Sequence, residues 1–319
     1  MTLPLVRTVL QRKGWRLIEA QPMLGGYAAT LYRLRVVDEQ GQAREAIYKR
    51  FDPTRTAELE LYRTVLPEVP HAIPALYGIV DEDGEQGLIL EAAGVAVKTV
   101  FAGEREMLHE LVTLLARLHS ALAEKSQQWL AEGRASAYPF ESSAAWADTA
   151  LAELTWLAGQ ERMHLHPQRV DEVRDMAAQF YPRYPEWAVG RTTYTHGDPH
   201  LENVLVQAAG QYRLIDWEWA CVSLPQRDLS ILLQDVLEEE LHEFAYDAFQ
   251  TRLVQQGFAI PDPLAFRRAF RACLFDNTLM MLGWEIGKYR NGFLTESEME
   301  RILTAKLRWL HECHRELLT

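Results

Sequence analysis

The stretch Thr195-His196-Gly197-Asp198-Pro199-His200-Leu201-Glu202-Asn203-Val204-Leu205 decides the fold, together with Tyr212-Arg213-Leu214-Ile215-Asp216-Trp217-Glu218-Trp219 just after it. Pro199 bars regular structure and places Asp198 on a loop. Val204-Leu205-Val206 reads as a short buried strand, Ala208-Ala209-Gly210-Gln211 as a turn, and Tyr212 to Ile215 as the returning strand. A hairpin of that length brings Asn203, just before its first strand, near Asp216, just after its second. Asp198 lies five positions before Asn203, near enough along the chain to point into the same space. One carboxylate, one amide oxygen and the phosphates of a substrate are an ordinary ligand share for Mg²⁺, a hard cation that keeps several waters. Asp198 is then left to accept the proton of an attacking hydroxyl.

Each piece has an ordinary reading as well. A lone His-Gly-Asp is a loop, and an Asp at a strand end is a cap or a turn former. His196, Asp198 and His200 alternate in a way that suggests a metal site, although three ligands so close on a tight loop seldom complete a tetrahedron. The conjunction of loop Asp, Asn five later, hairpin and strand-end Asp is what carries the weight.

At this point the chain resembles the aminoglycoside phosphotransferase and choline kinase family, small-molecule kinases with a protein-kinase-like fold. The His-Gly-Asp, four residues, Asn pattern and the Ile-Asp-aromatic strand end both stand intact. The resemblance implies Asp198 as catalytic base, Asn203 and Asp216 as magnesium ligands, and His196 as a structural member of the loop. Leu114-Leu115-Ala116-Arg117-Leu118-His119 is similar to the family's Leu-Ala-x-Leu-His helix end, and Leu224-Pro225-Gln226-Arg227-Asp228-Leu229 to its Pro-x-x-Asp-Leu segment, where the Asp is structural. The implied fold is α+β, a protein-kinase-like bilobal fold with a small β-rich N-lobe over residues 1–92 and a larger, mainly helical C-lobe over 93–319. The implied co-substrate is ATP or GTP.

The first ~90 residues carry the matching pattern. Leu5 to Lys13 is a short amphipathic helix; Arg16 to Pro22, Thr30 to Val37 and Ala46 to Lys49 read as strands; Thr56 to Leu66 is helical; Ile79 and Gly87 to Leu90 bracket the turn Asp81-Glu82-Asp83-Gly84. Gly25-Gly26, between the first two strands, permits close approach of backbone to phosphate, although a plain hairpin turn has the same composition and the three-glycine spacing of protein kinases is absent. Lys49 stands where a kinase fold places its phosphate-binding lysine. Its expected partner is Glu58, which shares a helical face with Leu61, Tyr62 and Val65; Glu60 points elsewhere. Leu88 to Gly94 reads as the strand-to-linker crossing, with backbone groups around Glu91 to Ala93 expected to bind the adenine edge.

Beyond the linker, residues 104–122 form an amphipathic helix ending at His119, expected to be buried and hydrogen-bonded. Ser126 to Ser143 is polar and reads as an exposed insertion. Ala144 to Tyr181 is helical with a break near His166-Pro167, and Leu229 to Gln256, Pro263 to Lys288 and Thr295 to the C-terminus are helical. Asp276, Asn277, Met280 and Trp284 fall on one helical face. With Trp217 and Glu218 beside the metal site, Asp276 and Trp284 are the candidates for holding an acceptor. Aromatic faces with a carboxylate suit a cationic amine, while core packing accounts for such residues equally well.

Composition narrows the partners. The chain has 319 residues, 48% of them hydrophobic, and a net charge of −12. That balance argues against nucleic acid, and an acidic surface attracts a cationic substrate, although many cytosolic proteins are acidic for solubility alone. No apolar run reaches the ~18 residues of a membrane span. Three scattered cysteines fit a reducing cytoplasm rather than a disulfide or zinc framework. A P-loop and a dinucleotide-binding glycine motif are both missing. The expected activity is transfer of the γ-phosphoryl of ATP or GTP, with Mg²⁺, to a hydroxyl of a small molecule such as a cationic amino alcohol or an aminoglycoside. The alternative is a catalytically silent kinase-fold protein that binds nucleotide or a partner.

Overall fold

Residue alternation builds the N-terminal part of the chain. In the computed structural model, which describes residues 3–23, 29–140, 143–160, 163 and 165–318, a five-stranded antiparallel sheet runs in the order β1-β2-β3-β5-β4. Its strands are β1 (Arg16–Pro22), β2 (Ala29–Val37), β3 (Ala43–Phe51), β4 (Leu76–Glu82) and β5 (Glu85–Glu91). Successive side chains point to opposite faces. Tyr32, Leu34, Val36, Ala46, Tyr48, Val80 and Ile89 therefore share one face, where they pack with Val6 and Leu10 of helix α1 (Pro4–Arg12), with Leu3 just before it and with Trp15. Lys49 is set one residue out of phase with Ala46 and Tyr48 and paired with Leu31 and Leu88. It points to the other face, that of helix α2 (Ala57–Thr64).

The β4–β5 hairpin closes through Asp83-Gly84, both at positive φ (52° and 75°), the backbone a two-residue primed turn requires. A second, three-stranded sheet follows the linker: β6 (Val95–Ala96), β8 (Val204–Val206) and β9 (Tyr212–Leu214), in the order β6-β8-β9. Gly94, at φ +103°, permits the crossing into it, since a Cβ there would lie 2.0 Å from the Val206 carbonyl oxygen.

The remaining elements are α3 (Arg105–Ala131), α4 (Ala144–Ala158), α5 (Pro167–Phe180), α6 (Tyr184–Trp187), α7 (Pro225–Leu232), α8 (Glu239–Gln255), α9 (Pro263–Arg290) and α10 (Glu296–Leu318), with the short pair β7 (Thr193–Thr195) and β10 (Cys221–Ser223). Two boundaries differ from the sequence pattern. Helix α3 runs on to Ala131, into the first part of the stretch expected to be an exposed insertion, because Ser126 and Trp129 continue its buried face. Farther on, the helix expected over Leu229 to Gln256 breaks after Leu232 into a 3₁₀ turn at Leu233–Asp235, and α8 begins only at Glu239. Every residue of α7 is buried, so that stretch shows no amphipathic period by which a break could be seen.

Contacts divide the chain into two units, Met1–Val100 with Leu201–Trp219, and Phe101–His200 with Ala220–Thr319. The β8–β9 hairpin thus groups with the first hundred residues although it follows them by another hundred. None of the described helices is long and apolar enough to cross a membrane.

Candidate active site

The first unit gathers three residues far apart in sequence. Lys49 Nζ donates to Glu58 Oε2 at 2.5 Å and to Asp216 Oδ1 at 3.0 Å. Strand alternation aims Lys49 at α2, and α2 turns Glu58, Leu59, Leu61 and Tyr62 inward. Glu60, on the opposite side, pairs with Arg63. Burial disfavours the charged lysine, but the Glu58 and Asp216 carboxylates outweigh it and hold the ammonium protonated. For Glu58, burial is the larger effect and pushes its carboxyl above the ordinary range, against the pull of Lys49 and of the Trp217 backbone N–H.

Asn203 and Asp216 flank the open end of the β8–β9 hairpin. Val204 pairs with Leu214, and the Ile215 N–H donates to the Asn203 carbonyl at 3.0 Å, extending the ladder by one step. Asn203 is buried, whereas the Asp216 side chain is 43% exposed. Asp216 is also held at φ +65°, a left-handed conformation that costs a non-glycine residue about 1 kcal/mol. Strain of this kind clusters at ligand sites. Among the described residues no group of three His, Cys, Asp or Glu side chains is placed to hold a metal ion. An all-protein cage is therefore not what these residues build. One amide oxygen and one carboxylate instead fit a hard cation that brings phosphate oxygens and water as its other ligands.

In the second unit Asp198 sits on the loop leaving β7. Its backbone N–H donates to His196 Nδ1 at 3.2 Å, so that ring nitrogen is unprotonated. Its carboxylate, 29% exposed, lies 3.5 Å from His200 Nε2. Fully buried Asp228 of α7 accepts three hydrogen bonds: from the His196 N–H at 2.7 Å, the Gly197 N–H at 2.9 Å and His119 Nε2 at 2.9 Å. Burial pushes its carboxyl up, and the His119 bond and charge, with the Gly197 N–H, reverse this and leave it below the ordinary range. Asp228 on α7 thus ties His119 to the backbone of His196 and Gly197, and the His196 ring in turn holds the Asp198 N–H. The positive φ of Gly197, +86°, suits only glycine there.

Glu91 accepts from Gln207 Nε2 at 2.9 Å and from the Ala75 N–H at 3.2 Å, which ties the linker to the hairpin; Ala93 is buried beside it. Gly25 and Gly26 lie outside the described residues. Trp217 is fully buried with its indole N–H on the Leu214 carbonyl, and a ring without exposed surface offers no face to an incoming acceptor. Glu218 is engaged by Arg55 at 2.6 Å. Asp276 is buried and accepts from Tyr138 and Tyr181 hydroxyls at 3.1 and 3.0 Å. Burial raises its carboxyl above the usual range although both tyrosines and Arg227 pull it down. Asn277 donates to Ser230 at 2.6 Å, a link from α9 to α7. Trp284 is 59% exposed. Tyr138, Tyr181 and Arg227 were not expected. Tyr138 lies in the stretch read as an insertion, and Arg227, set between Gln226 and Asp228, shows no local sign of its burial.

The model of the phosphotransferase enzyme family matches residues 19–267. Among solved structures, an aminoglycoside phosphotransferase from Alicyclobacillus acidocaldarius superposes with TM-score 0.64 at 15% identity, over 100% of this chain and 97% of that one. A macrolide 2′-phosphotransferase from Brachybacterium faecium gives 0.56 at 16% identity, over 94% and 96%. Choline kinase from Streptococcus pneumoniae gives 0.55 at 15%, over 93% and 94%. No curated protein sequence matches the chain. At such identities the structural likeness is one of fold, the protein-kinase-like fold.

Proposed function

Since the chain belongs to the phosphotransferase enzyme family, we propose that it is a small-molecule kinase that moves the γ-phosphoryl of ATP or GTP to a hydroxyl of its acceptor. The observation that carries this is Lys49 bridging Glu58 and Asp216, a strand lysine, a helix carboxylate and a carboxylate at a hairpin end that together fit a phosphate-binding task.

Lys49 supplies a fixed cation to phosphate oxygens, and Glu58 keeps it from swinging away. Asn203 and Asp216 would hold a magnesium ion, which when bound offsets phosphate charge and orients the phosphate oxygens. Asp198 accepts the hydroxyl proton as the acceptor oxygen bonds to the γ-phosphorus. The bond from that phosphorus to its bridging oxygen breaks, and the nucleoside diphosphate leaves with the electron pair. Backbone groups of Glu91 and Ala93 are assigned to the nucleobase, as are Gly25 and Gly26 to the phosphates.

For the acceptor we favour a cationic amino alcohol or aminoglycoside, as the named structural relatives include an aminoglycoside phosphotransferase and a choline kinase. The net charge of −12 and the exposed Trp284 ring support that choice. A cytoplasmic location is part of the proposal and draws on three unpaired, buried cysteines. The test is a panel of hydroxylated amines and sugars offered with ATP or GTP and Mg²⁺. Acceptor-dependent release of nucleoside diphosphate is expected. Nucleotide binding with no turnover across the panel would favour the silent kinase-fold protein instead.

A further inference from the structure

Consecutive residues at the start of α7 grip consecutive peptide groups of the Asp198 loop. Asp228 takes the N–H groups of His196 and Gly197. Arg227 donates from Nη1 to the Gly197 carbonyl at 2.9 Å. That carbonyl belongs to the same planar peptide as the Asp198 N–H, which is itself held by His196 Nδ1. A planar unit gripped at both its oxygen and its nitrogen cannot rotate. With Gly197 free to adopt many conformations by itself, the grip fixes ψ of Gly197 and φ of Asp198, and so the direction in which the Asp198 side chain leaves the backbone.

Arg227 is in turn backed from behind. It is buried, and its guanidinium lies 4.1 Å from the centre of the Tyr138 ring. The Tyr138 hydroxyl is anchored on Asp276, whose second oxygen takes the Tyr181 hydroxyl. A cation kept out of water is costly to maintain, and fold stability alone would be served as well by an apolar side chain of the same size. We propose that Arg227 is a positioning residue for phosphoryl transfer: seated on the Tyr138–Asp276 pair, it locks the Gly197–Asp198 peptide and thereby aims the general base. This rests on Asp198 being that base; the lock itself is a matter of geometry.

The test separates the two. In R227M, hydrogen exchange of the Gly197 and Asp198 amides should rise about tenfold or more, with helices α7 and α9 within about twofold of the parent and a cooperative melt retained. Turnover with the best acceptor of the panel should fall about 10²-fold in kcat, the scale of a misplaced catalytic group, with nucleotide KM within about threefold. R227K, which keeps the charge but not the fork, should fall between. Should R227M fail to fold, R227K and Y138F carry the same two readouts, each with a smaller rise in loop exchange. Unchanged loop exchange, or exchange that rises equally through α7 and α9, overturns the proposal and leaves Arg227 a packing residue. If no variant and no parent protein turns over any acceptor, the exchange data still decide the lock, and the failure falls on the kinase assignment alone.

Discussion

In the first unit Asp216 is held by one charged neighbour, Lys49, and leaves 43% of its side chain exposed. In the second, the backbone N–H of Asp198 is held by His196 Nδ1, and the two residues before it, His196 and Gly197, are held by a carboxylate with no exposed surface that satisfies three donors at once. The contrast follows from what each region has to do. On the proposed reading, charges that would meet phosphate are paired with one another and can exchange partners, with Asp216 the exposed member. A residue proposed as general base must not wander, and its loop is fixed by buried bonds whose loss leaves orphan donors. Chemistry should therefore be most sensitive at Asp198, stability at Asp228, and nucleotide binding at Asp216.

The largest effect is expected at Asp198 itself. D198A should lower kcat by about 10²–10⁴ with a stability loss well below that of D228N, because the buried backbone bonds that fix the loop remain. A matching loss of stability in urea titrations would erase the distinction between base and scaffold.

D228N should do the reverse, costing about 3–5 kcal/mol of stability as a buried partner is removed. Its pH course is distinctive. The Asp228 carboxyl is depressed, so its contribution is complete above the ordinary carboxylate range of an unfolded chain and is lost as pH falls through the lower folded value. The gap between parent and D228N should be flat from about pH 5 to 8 and close only below about pH 4. Asp276 is raised instead: its folded form holds the proton more tightly, and what it contributes is lost as pH rises through the folded value. D276N should gain on the parent as pH climbs above the ordinary carboxylate range. Parallel pH curves for the two variants would contradict both assignments.

The sequence shows these regions unequally. The placing of Asn203 and Asp216 at the open end of one hairpin is readable because a hairpin and its turn are local, as is the loop position of Asp198 beside Pro199. The β4–β5 hairpin is readable for the same reason, through Asp83-Gly84. The Lys49–Glu58 pair needs only strand and helix phase. The clamp formed by Arg227, Tyr138 and Asp276 joins positions 89 and 49 residues apart along the chain, and nothing local announces it. Buried polar residues without a period, as throughout α7, give neither a face nor a boundary. Trp217 and Asp276 were legible as residue types, but burial, which decides what they can touch, is a tertiary property.

K49M should come next in size. It strands the buried Glu58 carboxylate, at a cost of about 3 kcal/mol, and weakens nucleotide binding in parallel. The K49M/E58Q double variant should be less destabilised than the two singles summed, since the stranded charge is gone. Strict additivity would mean that the two groups are not a functional pair in solution. D216N is expected to leave the melting transition nearly in place and to weaken nucleotide binding about 10–100-fold, only when Mg²⁺ is present. Calorimetry with and without EDTA reads this directly, and equal losses in both conditions would remove Asp216 from the metal.

The smallest effect belongs to Glu218, and it sharpens the comparison most. From the sequence this carboxylate is a candidate for holding a cationic acceptor; in the folded chain Arg55, just ahead of α2, already neutralises it at 2.6 Å. Both partners remain partly exposed, so the pair contributes about 0–1 kcal/mol and should fade in ~1 M salt, where screening is nearly complete over ~3 Å. E218Q should therefore change neither stability nor acceptor KM by more than about threefold, while R55A, which frees the carboxylate, should improve affinity for cationic acceptors if that carboxylate can reach one. A large rise in acceptor KM for E218Q alone would show that substrate displaces Arg55, and would move Glu218 from the fixed scaffold to the set of charges that exchange partners, beside Asp216.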